Sequence, residues 1–237
     1  MRSQNWLKIW QKKGLNKTED QHVLDGWDLN SEKEYREIAY SCLSENENFL
    51  REPNLKTVEF GCGSGAFISA LQAEFSNLEI EGLDYSENLI NAAREKNQSV
   101  DFNVLDMNSP IEDWLKVLNY KKYDVIFSFG TLLYFNSEGE IQSVLEKMTS
   151  ILSSKGLIIL GEVNDLENQI KSKNVRKESL KNREETDPNL VLDQLYLSKK
   201  MFLNFAIKNN FTCKILPLPS WYPASEYRYH VTLKKRS

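Results

Sequence analysis

The fold of this chain is decided by the stretch Val58-Glu59-Phe60-Gly61-Cys62-Gly63-Ser64-Gly65-Ala66-Phe67. Apolar residues stand at both ends of the stretch, and three glycines alternate in its middle. This pattern predicts a strand that enters a tight turn and continues as a helix. Gly61 permits the turn because it tolerates positive φ, Gly63 leaves room for a ligand against the backbone, and Gly65 lets the helix lie close to the strand. We therefore expect a nucleotide-like ligand above this loop.

Glu59, two positions before the first glycine, distinguishes two kinds of ligand. The glycines alone also fit a dinucleotide-binding loop, G-x-G-x-x-A, through Gly61, Gly63 and Ala66. The pyrophosphate of a dinucleotide would be repelled by the carboxylate of Glu59, whereas a cationic ligand would be attracted. The sequence therefore favours a cationic ligand and leaves a nicotinamide-dependent oxidoreductase as the alternative.

An acidic residue followed by three alternating glycines, here Glu59, Gly61, Gly63 and Gly65, resembles the first motif of the class I methyltransferases. The resemblance covers about residues 55–163 well and the C-terminal part loosely. It implies S-adenosylmethionine as cofactor, which carries an ammonium and a sulfonium group and no phosphate, and S-adenosylhomocysteine as product. Cys62 lies inside the loop, where we expect a small filling residue rather than a nucleophile.

Two further acidic residues close predicted strands. Asp84 ends the second strand, where its carboxylate can accept both hydroxyls of a ribose; dehydrogenases use the same device, and the alternative role is a helix cap. Asp106 ends the third strand, and the resemblance implies that it takes the adenine amine while Met107 lies against the purine. The full predicted cofactor-binding set comprises Glu59, Gly61, Cys62, Gly63, Gly65, Asp84, Tyr85, Asp106, Met107 and Ser128.

Strand and helix patterns alternate regularly from residue 55 onward. Such alternation is typical of a parallel sheet with crossover helices. We therefore predict the α/β class with a seven-stranded, mostly parallel, doubly wound sheet, and the resemblance implies that the last strand is antiparallel. The predicted strands are residues 55–60, 78–83, 100–105, 123–129, 156–163, 211–216 and 227–233.

Two segments fall outside this alternation. Residues 1–50 predict an N-terminal helical extension, with helices over 5–14 and 31–50 and an irregular segment over 21–28, ahead of a Rossmann-like methyltransferase domain over 51–237. By the resemblance, such an extension covers the cofactor pocket and shapes the acceptor site. Residues 165–195 form a charged insert after the fifth strand, which predicts either solvated helices or a lid over that site.

Composition limits the class of protein. A net charge of −4 opposes a general nucleic-acid binder, which would present a basic field. The three cysteines have neither disulfide nor metal spacing, as expected in a reducing cytosol. The N-terminus lacks the apolar core of a signal peptide, and no window approaches a membrane span. We expect a cytoplasmic protein, monomeric or homodimeric, without a nucleic-acid partner.

The end of the fourth strand is where the resemblance implies that methyl acceptors approach. The sequence Ser128-Phe129-Gly130-Thr131 stands there, and the Asn-Pro-Pro-Tyr pattern of enzymes that methylate base amines is missing. Metal-dependent catechol-type enzymes carry an Asp at this place and an Asp-Asn pair after the fifth strand, which Glu162, Asn164 and Asp165 match only in part. We therefore predict no metal. The predicted acceptor is a small molecule methylated at oxygen: a sugar, a phosphorylated metabolite or a lipid-linked precursor.

The catalytic residue predicted from the sequence is His22. The chain has two histidines, and His230 falls in the last strand, where a histidine is more often structural. His22 lies in the segment expected to cover the pocket, near Asp25 and Asp28, which can orient an imidazole as a general base. Transfer by positioning alone, and a binder that does not catalyse, remain alternatives. The predicted substrate-binding residues are Trp27, Tyr134, Trp221 and Tyr222.

Overall fold

The computed structural model describes residues 2–16, 20–27, 31–181 and 193–236. Its centre is a seven-stranded sheet in the order β3-β2-β1-β4-β5-β7-β6. The strands are β1 (Lys56–Phe60), β2 (Glu79–Asp84), β3 (Asp101–Val104), β4 (Tyr123–Phe129), β5 (Leu152–Asn164), β6 (Phe211–Leu216) and β7 (Arg228–Lys235).

The sheet confirms the predicted topology. The strands β3, β2, β1, β4 and β5 pair in parallel. The last strand, β7, is antiparallel to both of its neighbours, β5 and β6. The chain order reverses between β1 and β4, which lie side by side, and ligands of open α/β sheets bind in the crevice beyond the strand ends at such a point.

Helices cover both faces of the sheet. The described helices are α1 (Arg2–Lys13), α2 (Gln21–Leu24), α3 (Glu32–Ser41), α4 (Glu47–Leu50), α5 (Ala66–Glu74), α6 (Glu87–Lys96), α7 (Ile111–Val117), α8 (Glu138–Ile151), α9 (Gln169–Lys181) and α10 (Lys199–Lys208). Because both faces are covered, β4 is buried almost throughout and reads as a nearly continuous apolar run. None of the described helices is long and apolar enough to cross a bilayer.

Side-chain alternation along β1 explains why a carboxylate faces the crevice region. Val58 and Phe60 point into the core on one face of the sheet, where Phe60 stacks on Trp114 at 4.3 Å between ring centroids. Successive residues of a strand point to opposite faces. Glu59 therefore points to the other face of the sheet. On that face Phe67 of α5 packs against Phe127 of β4, with 5.6 Å between the ring centroids.

The N-terminal extension packs against the sheet domain. In α1, Trp6 and Trp10 are buried against Leu89 of α6. In α3, Tyr35 and Ile38 join the core that covers α5. These contacts place the described part of the extension beside the crevice at the end of β1. The predicted boundary between the extension and the domain, at residue 50, stays a prediction.

The structure corrects two predictions within the extension. Residues 31–50 are not one helix: α3 ends at Ser41, residues 44–46 form a 3-10 turn and α4 follows. Ser44 and Asn46 favour such a break because their side chains compete for backbone hydrogen bonds, and Asn46 turns towards Thr232 of β7. The segment predicted as irregular contains the single-turn helix α2.

The charged insert after β5 is described in part. A 3-10 turn, Leu166–Asn168, leads directly into α9, and residues 193–198 return to α10. Residues 182–192 lie outside the described residues. The role of the insert as a lid therefore stays a prediction.

Candidate functional site

A cleft with two adjoining chambers opens beyond the ends of β1, β2 and β4. Both chambers are lined by a shared group of residues, Gly61, Asp84, Tyr85, Thr131 and Tyr134. We call the first, of about 670 Å³, the Asp106 chamber; it also contains Leu7, Leu105, Asp106, Met107, Asn108 and Phe135. We call the second, of about 480 Å³, the Glu59 chamber; it adds Trp10, Asp25, Trp27, Tyr35, Glu59, Cys62, Gly63, Phe67, Leu89, Phe129 and Gly130.

The glycine loop adopts the turn that its sequence predicts. Gly61, Gly63 and Gly65 have φ values of 76°, 56° and 87°, a region that side chains with a Cβ rarely adopt. The backbone N–H of Gly61 donates to the carbonyl of Leu83 at 2.6 Å, which ties the loop to β2. The glycines are required by the backbone conformation itself.

The space beside Gly63 is used differently from the sequence-based prediction. A Cβ at Gly63 would lie 2.3 Å from Asp25 Oδ1, so the room predicted for a ligand holds a carboxylate of the chain itself. A Cβ at Gly65 would meet Asn97 at 3.0 Å and both Gln21 and Phe102 of β3 at 3.3 Å, so the start of α5 lies close to a strand at this glycine. The difference at Gly63 arises because Asp25, which is outside the motif, packs onto the loop.

Asp84 orders the loop and lines both chambers. Its Oδ2 accepts the backbone N–H of Gly63 at 3.0 Å, and its Oδ1 accepts that of Ser86 at 2.8 Å. Burial raises the pKa of Asp84 to about 6, although these N–H groups favour the charged form. Ser86, whose hydroxyl accepts from the N–H of Leu89, is the cap of α6. The alternative role of Asp84 as the helix cap is therefore wrong.

Glu59 presents an unsatisfied carboxylate in the Glu59 chamber. Its side chain is buried, and Oε2 has no hydrogen-bond partner within the described part of the chain. Burial, and then the charges of Asp25 and Asp84, raise the pKa of Glu59 well above its usual range. A buried carboxylate oxygen without a partner is costly unless a ligand supplies a donor. The chamber thus fits a ligand with a cationic donor, as the ammonium of S-adenosylmethionine is.

Asp106 and Met107 lie together in the Asp106 chamber. Asp106 Oδ1 accepts the N–H of Asn108 at 2.8 Å, and its side chain is otherwise exposed at the end of β3. Met107 is buried and offers an apolar surface. Lys147, which the sequence did not single out, donates from Nζ to the carbonyls of Met107 and Ser109 and holds this loop in place.

Aromatic rings form the wall of the Glu59 chamber nearest the end of β4. Trp27 stacks on Phe129 with 5.4 Å between centroids and meets Tyr35 edge-on at 5.2 Å. Tyr134 lies against Trp6 at 4.7 Å and lines both chambers. Trp27 and Tyr35 of the extension therefore belong to this wall, and the role of the extension as a cover stays a prediction.

Not every predicted site residue lies in the cleft. Ser128 is buried beneath the site and lines neither chamber. Tyr222 stands behind Trp27 at 6.2 Å between centroids, and Trp221 is 46% exposed beside it. Cys62 lines the Glu59 chamber as a buried thiol, and burial raises its pKa well above the usual range, which opposes a nucleophilic role.

His22 is not among the residues that line the two chambers. It is buried against Tyr35, 6.0 Å away between ring centroids, and lines a third cavity with Asp20, Glu32 and Arg36. Tyr35 stands between this cavity and the Glu59 chamber, since it lines both. The carboxylate of Asp25 does not turn to His22, because it is hydrogen-bonded to the glycine loop. Asp28 lies outside the described residues. The predicted base role of His22 gains no support from its position.

A buried polar network at the end of β5 was not predicted. Glu162 has a φ of 60°, unusual for a residue with a Cβ, and pairs with Arg228 while its Oε1 lacks a partner within the described residues. Its N–H donates to His230 Nδ1 at 3.1 Å, so Nε2 carries the ring proton towards Ser41 Oγ at 2.9 Å. Burial lowers the pKa of His230 to about 3, which makes it a neutral structural residue.

The residues that resemble a metal pattern are engaged in other contacts. Asp165 Oδ2 accepts from Lys199 Nζ at 2.6 Å, and Asn164 Oδ1 accepts from Arg228 Nε at 3.0 Å. Across the described ranges, no group of three or more His, Cys, Asp or Glu side chains is arranged to hold a metal ion. The expected absence of a metal stays a prediction.

Comparison with known proteins identifies the family. The family model described as "Methyltransferase domain" matches residues 51–210. Malonyl-[acyl-carrier protein] O-methyltransferase 2 of Ilyobacter polytropus is 31% identical over 102 residues, which span 43% of this chain and 37% of that protein. Malonyl-[acyl-carrier protein] O-methyltransferase of Bacillus cereus is 27% identical over 125 residues, 52% of this chain and 44% of that protein. The matches therefore span less than half the length of these relatives.

Solved structures with the same fold contain the expected cofactor product. The N-methyltransferase NodS from Bradyrhizobium japonicum WM9, in complex with S-adenosylhomocysteine, has a TM-score of 0.65 at 14% identity, over 98% of this chain and 100% of that one. The plantazolicin methyltransferase BpumL, also with S-adenosylhomocysteine, has a TM-score of 0.65 at 16% identity, over 99% of each chain. At these identities the likeness shows the fold.

The matched residues contain the glycine loop and the three acids that end β1, β2 and β3. Glu59 offers a carboxylate to a cation, and Asp84 and Asp106 stand at the ends of neighbouring strands, so these three hydrogen-bond acceptors fit S-adenosylmethionine. This chain belongs to the methyltransferase-domain family and is an S-adenosylmethionine-dependent methyltransferase.

Proposed function

We propose that this enzyme methylates a small molecule at an oxygen atom, and that the acceptor enters the Glu59 chamber. One observation carries the proposal. The two chambers share Asp84, Tyr85 and Tyr134, so a nucleoside held in the Asp106 chamber extends directly towards the aromatic wall of the other. The part of the Glu59 chamber beside that wall is the room left for an acceptor.

In this arrangement each acid has a separate task. Asp106 and Met107 hold the adenine, Asp84 accepts the ribose hydroxyls with the lone pairs left by its backbone contacts, and Glu59 accepts the ammonium. The bound cofactor supplies a methyl group on sulfur that an acceptor atom displaces in line. The chain contributes by holding the acceptor in line, which is worth up to about 7–11 kcal/mol, and by excluding water.

The lining of the cleft favours an acceptor that needs no strong base. Among the described residues that line either chamber, none is Lys, Arg or His. In this proposal Asp25 holds the N–H groups of Ser64 and Ala66, Asp84 takes the ribose hydroxyls and Glu59 takes the ammonium. Each carboxylate of the Glu59 chamber therefore already has a task other than proton abstraction. Positioning of an acidic hydroxyl therefore fits better than proton abstraction by a strong base.

Two observations support methylation at oxygen and an acceptor without a phosphate group in the chamber. The two curated relatives reported above are named as O-methyltransferases. Asp25, Glu59 and Asp84 make the Glu59 chamber acidic, which disfavours a phosphate group inside it. Of the three predicted acceptor classes, the phosphorylated metabolite therefore fits the Glu59 chamber least. The monomeric or homodimeric state, the cytoplasmic location and the lack of a nucleic-acid partner stay predictions.

The experiment is a transfer assay with S-adenosylmethionine that carries a deuterated methyl group. Purified enzyme is incubated with an ultrafiltered metabolite extract and, separately, with the macromolecular fraction that the filter retains. Glu59→Gln is the matched control, and labelled products are found by mass spectrometry. We expect a labelled small molecule with wild type and at most a trace with the variant. Alkaline hydrolysis then separates an ester from an ether or an amine. Label only in the nucleic-acid or protein fraction, or on nitrogen, would contradict the proposal.

A second candidate, a binder that does not catalyse, keeps the same cofactor contacts. It predicts S-adenosylhomocysteine binding without label transfer to any fraction of the extract. The aromatic wall at the end of β4, with Trp27 on Phe129, favours the enzyme, because a binder needs no covered space next to the methyl group.

A further inference from the structure

Asp25 reaches from the N-terminal extension to the first turn of α5. Its Oδ1 accepts the backbone N–H of Ser64 at 2.6 Å, and its Oδ2 accepts that of Ala66 at 3.2 Å. The first N–H groups of a helix have no partner within the helix, and a capping side chain usually accepts one of them. The cap position of α5 is Gly65, which has no side chain, so Asp25 supplies the cap from a distant part of the chain.

The glycine loop is built to admit this carboxylate. A Cβ at Gly63 would lie 2.3 Å from Asp25 Oδ1, closer than any stable contact allows. A glycine is therefore needed at position 63 for a second reason besides the turn. Without a side chain there, the carboxylate of Asp25 can lie against the concave side of the loop. In a dinucleotide-binding loop, the N–H groups at this helix start hold a phosphate. Here the chain's own anion already uses them.

Gln21 fixes the same segment to the same loop. Its Nε2 donates to the carbonyl of Ser64 at 2.5 Å, its Oε1 accepts from Ser69 Oγ at 2.9 Å, and its own carbonyl accepts from Ser64 Oγ at 3.0 Å. Contacts from Asp25 and Gln21 thus converge on the loop and on the first turns of α5.

The segment held in this way also forms a wall of the Glu59 chamber. We call residues 21–27 the covering segment. Its last residue, Trp27, donates its N–H to the carbonyl of His22 at 2.8 Å and stacks on Phe129 at 5.4 Å. The position of Trp27 over the chamber therefore depends on how Asp25 and Gln21 hold the segment.

The charges in the chamber connect this contact to the cofactor. Asp25, Glu59 and Asp84 all line the Glu59 chamber, and their negative charges repel one another. A cation between them reduces this repulsion and favours the ionised form of Asp25, which is the form that accepts both N–H groups. Burial raises the pKa of Asp25 to about 7, the N–H groups of Ser64 and Ala66 oppose this rise, and the charge of Asp84 adds to it.

We propose that Asp25 is a positioning residue that anchors the covering segment to the glycine loop and thereby couples cofactor binding to closure of the Glu59 chamber. The coupling involves the cofactor and needs no particular acceptor. A failure of this proposal would therefore leave the proposed methylation of a small molecule untouched, and the reverse also holds.

The test combines amide hydrogen exchange with calorimetry of S-adenosylhomocysteine. The proteins are wild type, Asp25→Ala, Asp25→Asn and the control Asp113→Asn, which removes an exposed acid in the first turn of α7. In wild type we expect S-adenosylhomocysteine to slow exchange across residues 20–27 and at Ser64 and Ala66. In Asp25→Ala we expect a loss of more than about tenfold in affinity and no slowing across residues 20–27.

Asp25→Asn separates anchoring from simple packing. Its amide retains one oxygen that can accept one N–H, so we expect affinity and protection between those of wild type and Asp25→Ala. The control should behave as wild type. If Asp25→Ala does not fold, Asp25→Asn and Gln21→Ala carry the test, and both should weaken binding. Unchanged affinity and unchanged protection of residues 20–27 in these variants, even with a lower Tm, would overturn the proposal.

Discussion

Gly63 donates its backbone N–H to Asp84 Oδ2 at 3.0 Å, so the acid expected to bind the ribose also holds the glycine loop to β2. The same carboxylate accepts the N–H of Ser86 through its other oxygen. Cofactor binding and loop conformation therefore depend on one side chain, and its loss affects both.

Asp84→Ala is expected to lower S-adenosylhomocysteine affinity more than tenfold, since charged hydrogen bonds contribute about 1.5–3 kcal/mol. Calorimetry measures the affinity. The matched control is Leu71→Ala on α5, a fully buried residue that lines neither chamber. It should lower the free energy of unfolding by about 2–5 kcal/mol and leave the affinity of the folded protein unchanged. Equal affinity losses in the two variants would show that Asp84 acts only through stability.

The ligand-free enzyme is expected to lose stability as the pH rises towards neutrality. Burial raises the pKa of Asp25 to about 7 and that of Asp84 to about 6, from 3.8 in each case. The folded state therefore binds more protons than the unfolded state between about pH 4 and pH 7, so this contribution to stability is present below pH 4 and lost as the pH rises. Each unit of raised pKa corresponds to about 1.4 kcal/mol.

Thermal unfolding of the ligand-free protein from pH 5 to pH 8 measures this effect. Asp25→Asn, which does not titrate, should show a smaller fall in Tm over this range than wild type. The groups that face Asp25, namely Glu59, Asp84 and Tyr35, remain in the variant. A fall of the same size in both proteins would contradict the raised pKa of Asp25.

The buried pair of Glu162 and Arg228 is expected to matter most when only one partner is removed. Arg228→Met leaves the carboxylate of Glu162 buried without its cation, which costs about 3–5 kcal/mol of unfolding free energy. The double variant Glu162→Gln with Arg228→Met should regain part of that loss. Denaturant unfolding of both single variants and of the double variant gives the coupling energy. Strictly additive losses would show that the pair does not interact energetically.

His22→Ala is expected to lower stability and to leave kcat of the folded enzyme unchanged, because His22 lines a cavity apart from the two chambers. The measurement is turnover of the acceptor identified by the transfer assay, normalised to folded protein. A fall in kcat of about 10²–10⁴ with unchanged S-adenosylhomocysteine affinity would restore the base role that the sequence predicted.

The sequence predicted the sheet and the convergence of the acids well, for a physical reason. Parallel strands end at one edge, so Glu59, Asp84 and Asp106 at successive strand ends had to meet there. The contacts of the N-terminal extension could not be predicted in the same way. Asp25 meets Gly63 only because of the tertiary path of residues 20–27, and the single turn of α2 carries His22 away from the chambers. Trp221 lies in a loop without periodicity, so nothing in the sequence indicated its exposure.

The account depends most on the cofactor bound in the two chambers. Calorimetric titration of the purified enzyme with S-adenosylhomocysteine, and separately with NADH, tests it directly. We expect saturable binding of S-adenosylhomocysteine, weakened more than about tenfold by Glu59→Gln, and no comparable binding of NADH. Tight binding of NADH with none of S-adenosylhomocysteine would contradict the account.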